Sequence, residues 1–225
     1  MDQIVARNSV LGEKYWLDSH IHFIPMMQNR SRMGDQRHSP EQTAADEVGA
    51  VLLSEDEIAS IVRSLGWQIT NDYAGRAPLL VGVLKGAVVF LSDLLRSIDL
   101  PTEIDFLAVS SYGTSTTASG VVRILKDLDV SLVGRDVILV EDIIDSGLTL
   151  SFLLDIFERR EPASLAVCAL LVREGLELPE KTKKYLRYTG HSLQPGWVVG
   201  YGLDAGGRNR HLRALHRFVA PADRS

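Results

Sequence analysis

Four consecutive side chains, Val137, Ile138, Leu139 and Val140, carry no polar atom, and two adjacent carboxylates, Glu141 and Asp142, follow them directly. A strand this apolar has no face to give to water, so it belongs inside a sheet that is covered on both sides. Similar apolar runs stand at 79–84 and 164–172, with a more mixed run at 103–110. Between them lie stretches of helical spacing. Over 54–72, Ser54 and Glu57 form a capping-box pair ahead of Ile58, Ile61, Val62, Leu65 and Ile69; 87–98 and 148–159 complete the set. Doubly buried strands alternating with helices predict an α/β fold, an open, twisted, mostly parallel sheet flanked by helices. In such sheets ligands bind beyond the carboxyl ends of the strands, so the loops after Leu84, Ser110, Glu141 and Val172 should form the site.

The 225 residues, 45% of them hydrophobic, suffice for one core. Residues 51–225 are read as that domain. Residues 1–50 lack sustained periodicity and are read as an irregular or partly disordered extension. Net charge of −5 argues against a nucleic-acid partner, and no apolar stretch reaches the roughly 18–20 residues of a membrane span. The N-terminus has no signal-peptide pattern, and Met33 offers a later start. A single cysteine, Cys168, lies in the apolar run 166–172; a small buried hydrophobe in a reducing cytoplasm is the expectation. Within the extension, Asp18-Ser-His20-Ile-His22 resembles the opening metal motif of amidohydrolases. A metallohydrolase needs further ligands at the strand ends of a barrel, and His38, His191, His211 and His216 do not stand at such places.

Residues 137–150, Val-Ile-Leu-Val-Glu-Asp-Ile-Ile-Asp-Ser-Gly-Leu-Thr-Leu, concentrate the chemistry. A tight turn, Asp145-Ser146-Gly147, opens a helix with Leu148 and Thr149 in its first turn. Unpaired amides and the positive dipole end at a helix start favour phosphate, and Gly147 lets the backbone come close to it. The hydroxyls of Ser146 and Thr149 add donors. Glu141 and Asp142 are suited to a sugar's vicinal hydroxyls and a hard cation. An aspartate ahead of a helix is also a common N-cap, which is the structural alternative for Asp145.

This segment resembles the phosphoribosyl pyrophosphate (PRPP) motif of type I phosphoribosyltransferases, in wording closest to bacterial hypoxanthine-guanine phosphoribosyltransferases. Three further segments carry the resemblance. Leu84-Lys85-Gly86 is similar to the family's pyrophosphate loop, where a peptide that is often cis precedes the glycine. Ser111-Tyr112-Gly113 is similar to the start of its flexible catalytic loop, and 110–120 is small and polar, with 121–125 a returning strand. The run 197–204, Trp-Val-Val-Gly-Tyr-Gly-Leu-Asp, is similar to its purine-binding hood, with Arg210 at the family's spacing.

The resemblance implies the type I phosphoribosyltransferase fold with a small hood formed from the domain's terminal segments. It implies transfer of 5-phosphoribosyl from PRPP to hypoxanthine or guanine, giving IMP or GMP and pyrophosphate, with Mg2+. Asp145 would manage the base's proton, while Ser111 and Tyr112 close over the site. Asp145, Ser146, Gly147, Leu148 and Thr149 would hold the 5′-phosphate, and Glu141 and Asp142 the ribose. Lys85, Gly86 and Arg210 would hold pyrophosphate. Ile143, Arg173, Trp197, Val198 and Leu203 would bind the base; Glu141, Asp142 and Asp204 would hold metal. A homodimer or homotetramer is the family habit.

Three departures cluster around the base. Arg173 stands where the family has lysine, Trp197 where it has Phe or Tyr, and Ala205-Gly206-Gly207 replace bulkier polar and aromatic residues. Arginine's planar fork is no silent exchange for lysine. These departures keep open a phosphoribosyltransferase for a modified purine or deazapurine in secondary metabolism; a separate alternative is a regulator that keeps the fold to sense PRPP without turnover.

Overall fold

A computed structural model describes residues 48–111, 122–175 and 177–220. Tyr112, the pair His20 and His22, and Met33 lie outside the described residues, as do all but the last three residues of the proposed extension. The chain runs β1 (Val48–Leu53), α1 (Glu55–Asp72), β2 (Leu79–Leu84), α2 (Val88–Ser97), β3 (Glu103–Ser111), β4 (Val122–Lys126), β5 (Asp136–Ile144) and α3 (Leu148–Glu158). Then come β6 (Ser164–Arg173), α4 (Glu180–Tyr185), β7 (Leu186–Leu193), β8 (Val198–Val199) and β9 (Leu215–Phe218).

Six strands form one sheet in the order β4-β3-β2-β5-β6-β7. All neighbours are parallel except β4, which returns antiparallel on β3. The apolar runs divide their residues between two cores, as the period of two requires. Val137 and Leu139 of β5 face α3, packing with Leu150, Leu153, Leu154 and Phe157. Ile138 and Val140 face the other way, in one cluster with Ile58, Leu65 and Ile69 of α1 and Phe90, Leu91 and Leu94 of α2. Cys168 is fully buried in this second core, where burial pushes its thiol far up, away from reactivity.

Chain order places the functional edge. From the central β2 the chain steps outward to β3 and β4, then returns past β2 to β5 and continues to β6 and β7. The sheet's topological switch point therefore lies between the carboxyl ends of β2 and β5, where open α/β sheets form their ligand crevice. A second, antiparallel sheet, β1-β9-β8, is assembled from the two ends of the described chain. Leu53, Val198 and Leu215 of this small sheet join the core that contains α1 and α2.

The α1 helix starts as its sequence indicates: Ser54 accepts from the Glu57 amide, and Glu57 accepts from the Ser54 amide. Its buried face includes Gly66, where α1 meets the end of α2. A Cβ at Gly66 would stand 2.4 Å from the Ser97 carbonyl oxygen, backbone that cannot swing aside. Alanine would gain about 1 kcal/mol of helix propensity. Overpacking of about 1–3 kcal/mol outweighs that gain. Gly66→Ala is accordingly expected to lower the urea midpoint through a net loss of up to about 2 kcal/mol; an unchanged or raised midpoint would mean that the two helices part without penalty.

Candidate active site

Strand β5 continues past its acidic pair to Ile144, because Ile143 and Ile144 go on pairing with Leu171 and Val172 of β6. Glu141 and Asp142 thus stand on the strand and not in the loop beyond it. Glu141 is buried. Burial, and then the charge of Asp142, raises its pKa well above the usual carboxylate range. Burial also raises Asp142, aided by Asp204, although the Ile143 amide and the charge of Arg210 pull the other way. The Asp142 carboxylate accepts the Ile143 amide at 2.8 Å.

Opposite Asp142, across the switch point, lies the loop after β2. The Leu84–Lys85 peptide is cis. A Cβ at Gly86 would fall 1.7 Å from Asp142 Oδ2, so only glycine allows this carboxylate to lie against that backbone. Lys85 is exposed beside it. The segment leading to β9 approaches from the other side: a Cβ at Gly202 would be 2.3 Å from the Gly86 carbonyl oxygen. Arg210 is tied into this layer. It donates to the Gly202 carbonyl at 2.6 Å and pairs with Asp204 at 2.5 Å. Asp204 also accepts the Gly207 amide at 2.6 Å, within the tight turn that Gly206 and Gly207 make.

The turn after β5 is held open by Gly147, whose φ of 71° is left-handed and which serves as the N-cap of α3 without any side-chain cap bond. Asp145 is therefore not the cap. Its exposed carboxylate receives the Arg173 Nε–H at 2.9 Å. Arg173, the last residue of β6, also donates to the Gln194 carbonyl at 2.9 Å and is largely buried. The Leu148 amide reaches only the Ser146 hydroxyl, at 3.4 Å. Glu141, Asp145, Ser146, Gly147 and Thr149 wall a small cavity of about 120 Å³ here.

A larger cavity, about 620 Å³, opens next to it and is within the usual size for ligand pockets. Asp142, Ile143, Asp145 and Arg173 line one wall, and Trp197, Val198, Leu203 and Asp204 the other. Trp197 is 76% exposed, its ring bare at the mouth, whereas Val198 is buried in β8. All five base-side residues named from the sequence meet in this space. Ser111 ends β3, and its side chain lies outside the described residues with Tyr112.

Sequence reading missed Glu174, which lines the larger cavity and accepts the Gln194 side-chain amide. It also missed α4, which packs behind the Gly147 turn: Pro179 Cδ would lie 3.1 Å from a Cβ at Gly147. The signal for α4 was faint, one turn of Lys and Glu with no apolar stripe.

Residues 51–205 match the phosphoribosyl transferase domain family. A hypoxanthine-guanine phosphoribosyltransferase of Bacillus subtilis is 45% identical over 168 residues, 74% of this chain and 91% of that protein. One from Mycobacterium tuberculosis is 47% identical over 183 residues, 77% of this chain and 89% of that protein. Among solved structures, a hypoxanthine-guanine phosphoribosyltransferase from Bacillus anthracis superposes with a TM-score of 0.70 at 39% identity, covering 77% of this chain and all 100% of that one. A hypoxanthine phosphoribosyltransferase from Staphylococcus aureus gives 0.72 at 36% identity, covering 78% of this chain and 94% of that one. With its mostly parallel sheet, its small covering sheet and this degree of likeness, the chain belongs to the hypoxanthine-guanine phosphoribosyltransferase family.

Proposed function

We propose that this protein transfers 5-phosphoribosyl from PRPP to a 6-oxopurine, hypoxanthine or guanine, releasing pyrophosphate and serving purine salvage. The observation that carries the reading is the contiguity of two cavities across Asp145: a small, donor-edged one at a helix start, and a larger one walled by Ile143, Trp197 and Leu203. The first suits the 5′-phosphate, held by Ser146, Gly147, Leu148 and Thr149. The second suits a flat aromatic ring, with Trp197 offering a face for stacking and Arg173 a donor for the ring's oxo group. Glu141 and Asp142, between them, suit the ribose hydroxyls.

In the reaction a purine ring nitrogen forms a bond to the anomeric carbon while the bond to pyrophosphate breaks, and the base gives up a proton. Lys85, the amide side of Gly86, and Arg210 stand where departing negative charge collects. Asp145, fixed by Arg173 at the cavity wall, takes or holds the proton at the base's imidazole edge. Ser111 and Tyr112 belong to the segment that would close over the site and keep water out.

Magnesium suits this donor set. Among the described residues no three His, Cys, Asp or Glu side chains form a metal cage. Magnesium rarely uses one; it keeps water and binds through one or two carboxylates plus substrate phosphate. Asp204 lies close enough to Asp142 for its charge to help raise the Asp142 pKa. Glu141 and Asp142 would hold one ion by the ribose and Asp204 a second by the pyrophosphate, and the bound metal would neutralise the leaving group's charge. The single buried cysteine and the lack, among the described residues, of any helix long and apolar enough to cross a membrane are compatible with work in the cytoplasm.

One observation favours a second reading, a modified purine as acceptor. Two of Arg173's donors are already committed, which leaves it less free to serve an ordinary 6-oxo group. Initial rates with PRPP and magnesium against hypoxanthine, guanine, xanthine, adenine and deazapurine analogues separate the two. Hypoxanthine and guanine are expected to lead; a deazapurine in first place would replace the 6-oxopurine assignment. Asp145→Ala is expected to cut kcat about a hundredfold or more while PRPP still binds, and a rate within about threefold of the parent would remove Asp145 from proton transfer.

The buried acidic pair also makes stability depend on pH. Glu141 holds its proton more tightly folded than unfolded, so stability is lost as pH climbs from the ordinary value of 4.5 through the raised folded one. Without ligand or metal, Glu141→Gln is expected to melt higher than the parent at pH 8 and no higher at pH 4. The same melting difference at both pH values would show that this carboxylate does not titrate as argued.

A further inference from the structure

Helix α4 has only six residues, yet one of them, Thr182, is fully buried. Its hydroxyl donates to the Gly147 carbonyl at 3.2 Å, across 35 residues of chain. The same oxygen accepts the Ser151 amide at 2.8 Å, the first hydrogen bond of α3. Two donors therefore grip one oxygen. In a trans peptide the N–H points opposite to the C=O. Fixing the Gly147 oxygen from behind aims the Leu148 N–H the opposite way, out of the start of α3 and toward Ser146, where its long bond to the Ser146 hydroxyl leaves it free to exchange partners.

Helix α4 is itself anchored. Lys181 bridges Asp155 and Glu158 of α3, and Lys184 and Tyr185 both reach Glu158. A linked set of pairs of this kind holds better than any isolated surface bridge. Pro179 and Thr182 are thereby set against the Gly147 turn from outside the site.

We propose that Thr182 is a positioning residue for the sugar 5′-phosphate: by holding the Gly147 carbonyl from behind, it presents the Leu148 amide to the anion. The inference rests on the reading of 145–149 as the 5′-phosphate cradle. Thr182 touches no substrate; it acts through one peptide plane.

Two probes separate the ends of the donor substrate. Ribose 5-phosphate needs the cradle, whereas pyrophosphate binds at the Gly86 end. Each is titrated by calorimetry into the full-length protein with magnesium, alongside steady-state kinetics. Thr182→Val removes the hydroxyl at nearly the same volume. It is expected to weaken ribose 5-phosphate about tenfold and to raise KM for PRPP by a similar factor. Affinity for pyrophosphate and kcat are expected to stay within about twofold. Thr182→Ser, which keeps the hydroxyl, is expected to restore ribose 5-phosphate binding. Equal losses for both probes, or none for ribose 5-phosphate, would overturn the proposal. Should Thr182→Val not fold, Lys181→Met loosens the α4 anchor from the surface: it is expected to weaken ribose 5-phosphate selectively, and unchanged binding would count against the role. A wild-type protein that binds pyrophosphate but not ribose 5-phosphate would instead remove the cradle reading itself.

Discussion

Everything at the site depends on how closely the Gly86 backbone lies against the Asp142 carboxylate at the sheet's switch point. No side chain fits between them. The same glycine is covered from the other side by Gly202, so bare backbone after β2 and in the run before β9 leaves room for the Asp142 side chain of β5 where further side chains would normally intervene. Asp142 loses water in this layer, which raises its pKa, and Arg210 is brought within reach by its bond to the Gly202 carbonyl. Position and electrostatics thus come from one packing constraint.

The charges that result are arranged in pairs. Asp145 is matched by Arg173 and Asp204 by Arg210, each at direct hydrogen-bonding distance. Among the described residues Glu141 has no such cation, and its burial raises its pKa well above the usual carboxylate range. A ligand with two anionic ends and an accompanying cation meets this pattern piece by piece, since an anion can draw on the arginines while the cation draws on the aspartates. Preformed pairs also keep these side chains from collapsing into other contacts, so little reordering is needed on binding.

Much of the fold was legible in the sequence, for reasons that also explain what was not. Runs such as 137–140 are apolar on both faces, and nothing but a doubly covered strand accommodates them; the capping box at Ser54 and Glu57 fixed the start of α1 in the same direct way. Strand β5 extended further than its acidic pair suggested because Ile143 and Ile144 remain in register with β6, a tertiary effect no local pattern carries. Strands β8 and β9 are two and four residues long; they pair with each other, and β9 pairs with β1 across more than 160 positions, so their existence follows from packing and not from propensity. Strand β1 begins at Val48, inside the stretch read as an irregular extension, for the same reason. The residues 137–150 named themselves through chemistry. The pairing of Asp145 with Arg173 did not, because an aspartate before a helix is ordinarily a cap, and only the left-handed Gly147 displaces that role.

The two ends of the site differ in how they are built. At the proposed phosphate end, the amides at the start of α3 are oriented by a glycine whose carbonyl is held from behind by a buried hydroxyl. Backbone placed in this way tolerates few substitutions and leaves little freedom to choose another ligand. At the proposed base end, the cavity wall is made of side chains: Arg173 held at two points, Glu174 beside it, and Trp197 with its ring bare to solvent. Side chains can be exchanged without disturbing the sheet. Of the departures read in the sequence, Arg173 and Trp197 line this larger cavity, where the fold permits change and where the proposed function puts the choice of acceptor.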